Sequence, residues 1–186
     1  DKKSKINDLS LGSFPKYFKP YNDWRDSGIQ AMQVALDAKK SIVALTADVS
    51  SFYHELNPSF MLDASFQTLL DLKLDEQEKK LNRLFINALL AWGQNTPLEK
   101  GLPVGLPASA VVANMALVEF DQIIERQITP LYYGRYVDDV LLVMENKSDF
   151  PTPKELWKWL FARFDGKLGY VEPVNTSPNK PASNAV

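Results

Sequence analysis

The chain is 186 residues long, 45% hydrophobic and 24% charged, which suits one domain with a sizeable core. It has no cysteine, so disulfide frameworks and thiolate metal sites are excluded and a reducing, cytoplasmic setting is the default. A net charge of −2 and a pI near 5.5 give no electrostatic signature of nucleic-acid binding, and no apolar run approaches the ~20 residues that cross a bilayer.

Residues 1–10 lack the apolar centre of a signal peptide, and their Lys, Ser and Asp content marks them as solvated. "FPKYFKPYNDW" (14–24) mixes proline with aromatics and reads as an irregular packed segment. In residues 27–40, Ile29, Met32, Ala35 and Leu36 fall at helical spacing. "SIVALTADV" (41–49) is β-branched and apolar, a buried strand ending at Asp48. Asn57 followed by Pro58 opens a helix. Asp75 and Glu78 form a capping-box pattern for a helix with Leu81, Leu84, Phe85, Ala88 and Trp92 on its buried stripe and Gly93 at its end. Residues 94–107 are Gly- and Pro-rich loop, and 108–126 read as one long, mostly buried helix. "ITPLYYGRYV" and "DVLLVME" are the arms of a hairpin. Thr152 caps a helix that starts at Pro153 and buries Leu156, Trp159, Leu160 and Phe164. "GKLGYVEPV" is a final short strand, and the last residues read as tail. The order implies an α+β fold, a small antiparallel sheet with helices on one face.

The hairpin tip carries Asp138 and Asp139 between Tyr136-Val137 and Val140-Leu141-Leu142-Val143. Asp is an ordinary turn residue. Two adjacent carboxylates in a central, apolar hairpin nevertheless need a compensating charge, and the natural partner is a hard cation such as Mg²⁺. Asp48 ends an apolar strand ninety residues earlier; by itself it reads as a helix N-cap. If the two strands are neighbours, three carboxylates converge. Two cations about 3.5–4 Å apart then clamp an in-line phosphoryl displacement.

With these boxes in view, "ADVSSFY" (47–53), "GLPVGLPASAVVAN" (101–114) and "YVDD" (136–139) resemble, in order and spacing, the palm of reverse transcriptases. The likeness is greatest to prokaryotic types: group II intron, retron and abortive-infection or defence-associated enzymes. It covers roughly residues 41–180.

The resemblance implies that Asp48, Asp138 and Asp139 are the catalytic carboxylates and hold two Mg²⁺ ions, with Mn²⁺ as a substitute and the Val49 carbonyl as a further metal contact. Tyr53 falls on the aromatic gate position, where a ring abuts the sugar C2′ and favours dNTP over NTP; as a bare sequence feature it is a core aromatic. Phe52 beside it reads as core. Gly101, Leu102, Pro103, Val104 and Gly105 match the loop that lies along template and nucleotide. Many members have Gln where this chain has Val104, and Val cannot hydrogen-bond a nucleotide. Ser109 and Asn114 fit the following helix, Ser109 as its N-terminal hydrogen-bonder. Lys180 resembles the lysine that touches phosphate after the last palm strand; as a bare sequence feature it is a solvated tail lysine. Arg25 is either a triphosphate contact or a surface ion pair. His54, the single histidine, is assigned no chemistry.

The domain reading is partial fingers over 1–40, palm over 41–180 and tail over 181–186, a piece of a larger polymerase whose other parts carry the phosphate-neutralising bases. The implied activity is RNA-directed DNA synthesis on a 3′-hydroxyl, with dNTPs, an RNA template and a primer or self-primed DNA as partners, no membrane, and room for an oligomer or an accessory RNA or protein. The implied role is prokaryotic antiphage defence. Two other readings stand beside it: an RNA-dependent RNA polymerase, which an aromatic gate disfavours, and a non-catalytic palm that binds nucleic acid, which the complete carboxylate set disfavours.

Overall fold

The computed structural model describes residues 18–148, 150–164 and 166. The chain divides into two compact units, Asp1–Ser148 and Asp149–Val186. In the first, α1 (Phe18–Asp37) leads into β1 (Ile42–Asp48). A short helix α2 (Phe52–Glu55) and a 3₁₀ turn (Pro58–Leu62) follow, then α3 (Ala64–Leu69), α4 (Glu76–Gln94), α5 (Pro107–Ala116) and α6 (Val118–Ile123). A π turn (Ile124–Ile128) precedes the hairpin of β2 (Tyr132–Tyr136) and β3 (Asp139–Glu145). The sheet is antiparallel in the order β1-β3-β2. This is the α+β palm layout that the sequence implied.

β3 is central, and Val140 through Met144 are all buried, as a continuous apolar run requires. β1 is an edge strand, and its alternate residues Ala44, Thr46 and Asp48 are exposed, where the sequence read a fully buried strand. α1 packs across all three strands. Gly28 permits this: a Cβ there would run into the Leu141 side chain and come within 3.1 Å of the Tyr132 ring. Tyr133 and Arg135, whose side chains alternate to the opposite face, reach Asp121 on α6 and Asn114 on α5. Helices therefore flank the sheet on both faces, not on one.

Other expectations need similar correction. The segment 18–24 is the start of α1 and not an irregular stretch, because Pro20 lies in the first turn, where its missing N–H costs no hydrogen bond. Asn57 does cap, accepting from the Ser59 N–H at 3.0 Å, but over a 3₁₀ turn. The Asp75–Glu78 capping box is complete. On α4, however, the buried face is Ile86, Leu89 and Gly93, while Leu81, Leu84 and Trp92 are exposed. Ile86 and Leu89 pack with Leu102 and Val112 in a core that the 101–105 loop helps to close. The long helix over 108–126 breaks at Leu117. Among the described residues no helix is long and apolar enough to cross a membrane.

In the second unit, Thr152 caps α7 (Pro153–Phe161) through the Glu155 N–H, and a 3₁₀ turn (Ala162–Phe164) follows. Leu156, Leu160 and Phe164 are buried. Trp159 is half-buried under the Arg163 guanidinium, 3.4 Å from its ring centroid. The final strand expected over 166–174 lies beyond the described residues except for Gly166, and Lys180 lies outside them.

Candidate active site

The β1–β3 register sets Asp48 directly opposite Asp139, and the β2–β3 register sets Tyr136 opposite the same residue. Directly opposed residues bring their Cβ atoms to about 4.5–5.5 Å. Asp48, Asp139 and Tyr136 thus form one cross-strand row on the α1 face, at one end of the sheet. Asp138 sits in the two-residue turn between the hairpin strands, after Val137 at φ +58°. A β-branched residue rarely adopts that backbone region.

Electrostatics register the same convergence. Burial first, then the charges of Asp138 and of Asp48, push the Asp139 carboxyl above its ordinary range. Its ionised form is disfavoured by like charge on two sides. Among the described residues no three acidic or histidine side chains form a ready-made cation cage. As a donor set, three carboxylates at one sheet end fit a hard, oxygen-seeking divalent cation such as Mg²⁺ or Mn²⁺.

After Asp48 the chain turns sharply. The Val49 carbonyl accepts from the Phe52 N–H at 3.2 Å, with Ser51 at φ +55°. The turn buries Phe52 and leaves Tyr53 half-buried. Burial, then the Asp138 and Tyr136 charges, raise the Tyr53 hydroxyl pKa, so the hydroxyl stays protonated. Tyr136 in turn packs against Tyr21 (centroids 5.4 Å apart, edge-on) and Trp24 (6.5 Å) of α1.

The loop 101–105 is tied to this turn. The Leu102 N–H donates to the Tyr53 carbonyl at 2.7 Å. Gly101, at φ +95°, lies so close that a Cβ would sit 2.9 Å from the Tyr53 carbonyl oxygen and 2.8 Å from that of His54. Lys100 pairs with Glu55 at 2.5 Å across the same junction. Leu102 is inside the core at 1% exposure, Pro103 is half-buried, and Val104 stands out at 70%. Gly105 has open space around it. The loop is pinned at its root and open at its tip.

Other expectations resolve differently. The Ser109 hydroxyl is fully buried with no hydrogen-bond partner among the described residues, so it caps nothing; Leu106 is the N-cap of α5, without a side-chain bond. Arg25 pairs with Asp26 at 2.9 Å on the surface. His54 is exposed in α2. Sequence reasoning missed Arg135 and Asp121. Arg135 is enclosed and forks onto both Asp121 oxygens at 2.9 and 2.7 Å. The available signal was a lone arginine inside "YYGRYV" and a lone aspartate inside the apolar "VEFDQII". Burial alone would lower the Arg135 pKa, but the bond to Asp121 and its charge raise it on balance. Burial and Asp121 push the Tyr133 hydroxyl strongly upward.

The profile of the family described as "Reverse transcriptase (RNA-dependent DNA polymerase)" matches residues 8–165. No curated protein and no solved structure matches significantly.

Proposed function

The chain belongs to the reverse transcriptase family of RNA-directed DNA polymerases, which are nucleotidyltransferases that bind nucleotides and a nucleic-acid template, and from that premise we propose that Asp48, Asp138 and Asp139 are its catalytic carboxylates and bind two Mg²⁺ ions. The supporting observation is the pairing of Asp48 with Asp139 across β1 and β3, with Asp138 adjacent in the turn. When bound, the cations supply positive charge that lowers the pKa of a primer 3′-hydroxyl and neutralises the departing pyrophosphate. The rest of the chemistry is positioning and electrostatics. Asp48 would hold the cations from β1, and Asp138 and Asp139 would hold them from the hairpin. Val49 offers its carbonyl beside Asp48. Tyr53 turns its ring toward the sugar C2′ of an incoming dNTP and excludes a 2′-hydroxyl. Gly101, Pro103, Val104 and Gly105 line the nucleotide and template, with the open tip of the loop toward the ligand. Lys180 lies outside the described residues and is assigned to phosphate by the resemblance alone. Residues 41–180 act as the palm and 1–40 as part of the fingers. Likeness of the boxes to defence-type enzymes supports a cytoplasmic role in prokaryotic antiphage immunity.

Primer extension by the full-length protein tests this reading. With Mg²⁺, an RNA template and dNTPs, DNA product is expected, and Asp138→Asn should abolish it while leaving the unfolding transition in place. Nucleic-acid binding without synthesis by either form would replace the polymerase reading with a binding scaffold. Equal use of rNTPs by the wild type would replace it with an RNA polymerase.

A further inference from the structure

Arg135 precedes Tyr136 on β2, yet strand alternation sends its side chain to the face opposite the carboxylate row. There it is 9% exposed. A guanidinium so enclosed must satisfy its donors from the protein. Nε and Nη2 take the two Asp121 oxygens. Nη1 donates to Asn114 Oδ1 at 2.9 Å and to the Val137 carbonyl at 2.5 Å, and Nη2 reaches the Asn114 carbonyl at 3.3 Å. The Tyr133 hydroxyl closes the cluster on Asp121. One of these bonds bears on the site. The Val137 carbonyl belongs to the planar peptide whose N–H is that of Asp138, so fixing the oxygen fixes the plane entering Asp138. That plane follows a β-branched residue at φ +58°, a conformation the surroundings must enforce.

We propose that Arg135 is a positioning residue for the carboxylates: held on α6 by Asp121 and on α5 by Asn114, it clamps the Val137–Asp138 peptide and so aims Asp138 and Asp139 toward Asp48. The inference rests on the reading of those carboxylates as cation ligands. It requires the planar fork and not merely the charge, since one ammonium cannot grip Asp121 with two parallel bonds and hold Val137 as well.

The test compares the wild type, Arg135→Lys and the double variant Arg135→Lys/Val137→Gly in the full-length protein. Amide exchange at Asp138 and Asp139 is read without metal, Mn²⁺ binding by paramagnetic resonance, and primer extension as separate kcat and KM. Arg135→Lys should speed exchange at residues 138–139 by about tenfold or more. It should weaken Mn²⁺ binding by about 10–100-fold, the usual effect of losing a group that orients a metal ligand. The kcat should fall while the KM for dNTP stays within about twofold. Val137→Gly should recover part of each loss, because Gly adopts φ +58° without a Cβ penalty. A lowered unfolding midpoint with unchanged exchange at 138–139 and unchanged Mn²⁺ binding would overturn the proposal and leave Arg135 a plain structural ion pair. If the wild type itself neither binds Mn²⁺ nor extends a primer, the carboxylate reading fails; exchange then decides alone whether Arg135 holds the turn. If Arg135→Lys does not fold, Asn114→Ala, which removes one acceptor of the same guanidinium, is read in its place with the same expected directions.

Discussion

Replacing Gly101 with Ala probes the junction between the turn at residues 49–53 and the 101–105 loop. Two costs arise. At φ +95° an L-residue is strained, by about 1–3 kcal/mol. The new Cβ would also lie 2.8 and 2.9 Å from the carbonyl oxygens of His54 and Tyr53. Backbone atoms cannot rotate aside as a side-chain end can, so the loop or the turn must shift, at about 1–3 kcal/mol for overpacking of this kind. The shift weakens the 2.7 Å bond from Leu102 to Tyr53, worth about 1 kcal/mol net. The total is roughly 3–7 kcal/mol, against about 5–15 kcal/mol for a whole domain. In urea unfolding followed by tryptophan fluorescence, the midpoint should fall by at least about 1 M at an ordinary m-value. Any folded fraction should discriminate less between dNTP and rNTP, because Tyr53 has moved. Gly105→Ala is the internal control. It has a similar backbone angle, φ +84°, but open space around it, so only the first cost applies. Equal midpoint shifts in the two variants, or a Gly101→Ala variant with midpoint and discrimination both unchanged, would refute a packing cost at Gly101.

Asp139→Asn should stabilise the metal-free protein at neutral pH while removing synthesis. The folded-state pKa of Asp139 is raised, so the folded protein holds this proton more tightly, and stability is lost as pH rises from the ordinary carboxylate value through the raised one. The gain from Asn should be about 0.2–1 kcal/mol, the scale of an opposed like-charge pair, and should vanish below about pH 4; calorimetry at two pH values measures it. Tyr53→Ala should raise rNTP incorporation relative to dNTP in single-nucleotide extension, and unchanged sugar selectivity would remove Tyr53 from the gate role. Leu102→Ala, at a side chain 1% exposed among Ile86, Leu89 and Val112, should cost about 2–5 kcal/mol in denaturant unfolding.

Features fixed by a few neighbouring residues were legible in the sequence. The Asp75–Glu78 box and the Thr152–Pro153 helix start appear where local chemistry puts them, whereas the hairpin turn falls on Val137–Asp138 and leaves Asp139 to the strand. Features decided by distant packing were not. α4 has apolar residues around most of its circumference, so its period could not choose between the Leu81 and Ile86 faces; Leu102 and Val112, brought by another segment, choose the second. Nothing local announces the break at Leu117. The convergence of Asp48 on Asp139 could be stated beforehand only as a condition, because pairing between segments ninety residues apart leaves no local trace. Arg135 and Asp121 were invisible as a pair for the same reason.

The sheet order carries a consequence for biosynthesis. β1 is made early, but its hydrogen-bonding partner is β3, not a neighbour in the chain. Between Asp48 and Glu145 a ribosome adds 97 residues, which takes roughly 5–20 s at ordinary elongation rates. For that interval the nascent Ile42–Asp48 segment has an apolar edge, and its partner among the described strands is not yet made. Lys39 and Lys40 stand before it, separated only by Ser41, charges of the kind that discourage an orphan strand from joining another chain. Of the described strands, the last to leave the ribosome is thus the one that closes the sheet, and the acidic row exists only from that moment.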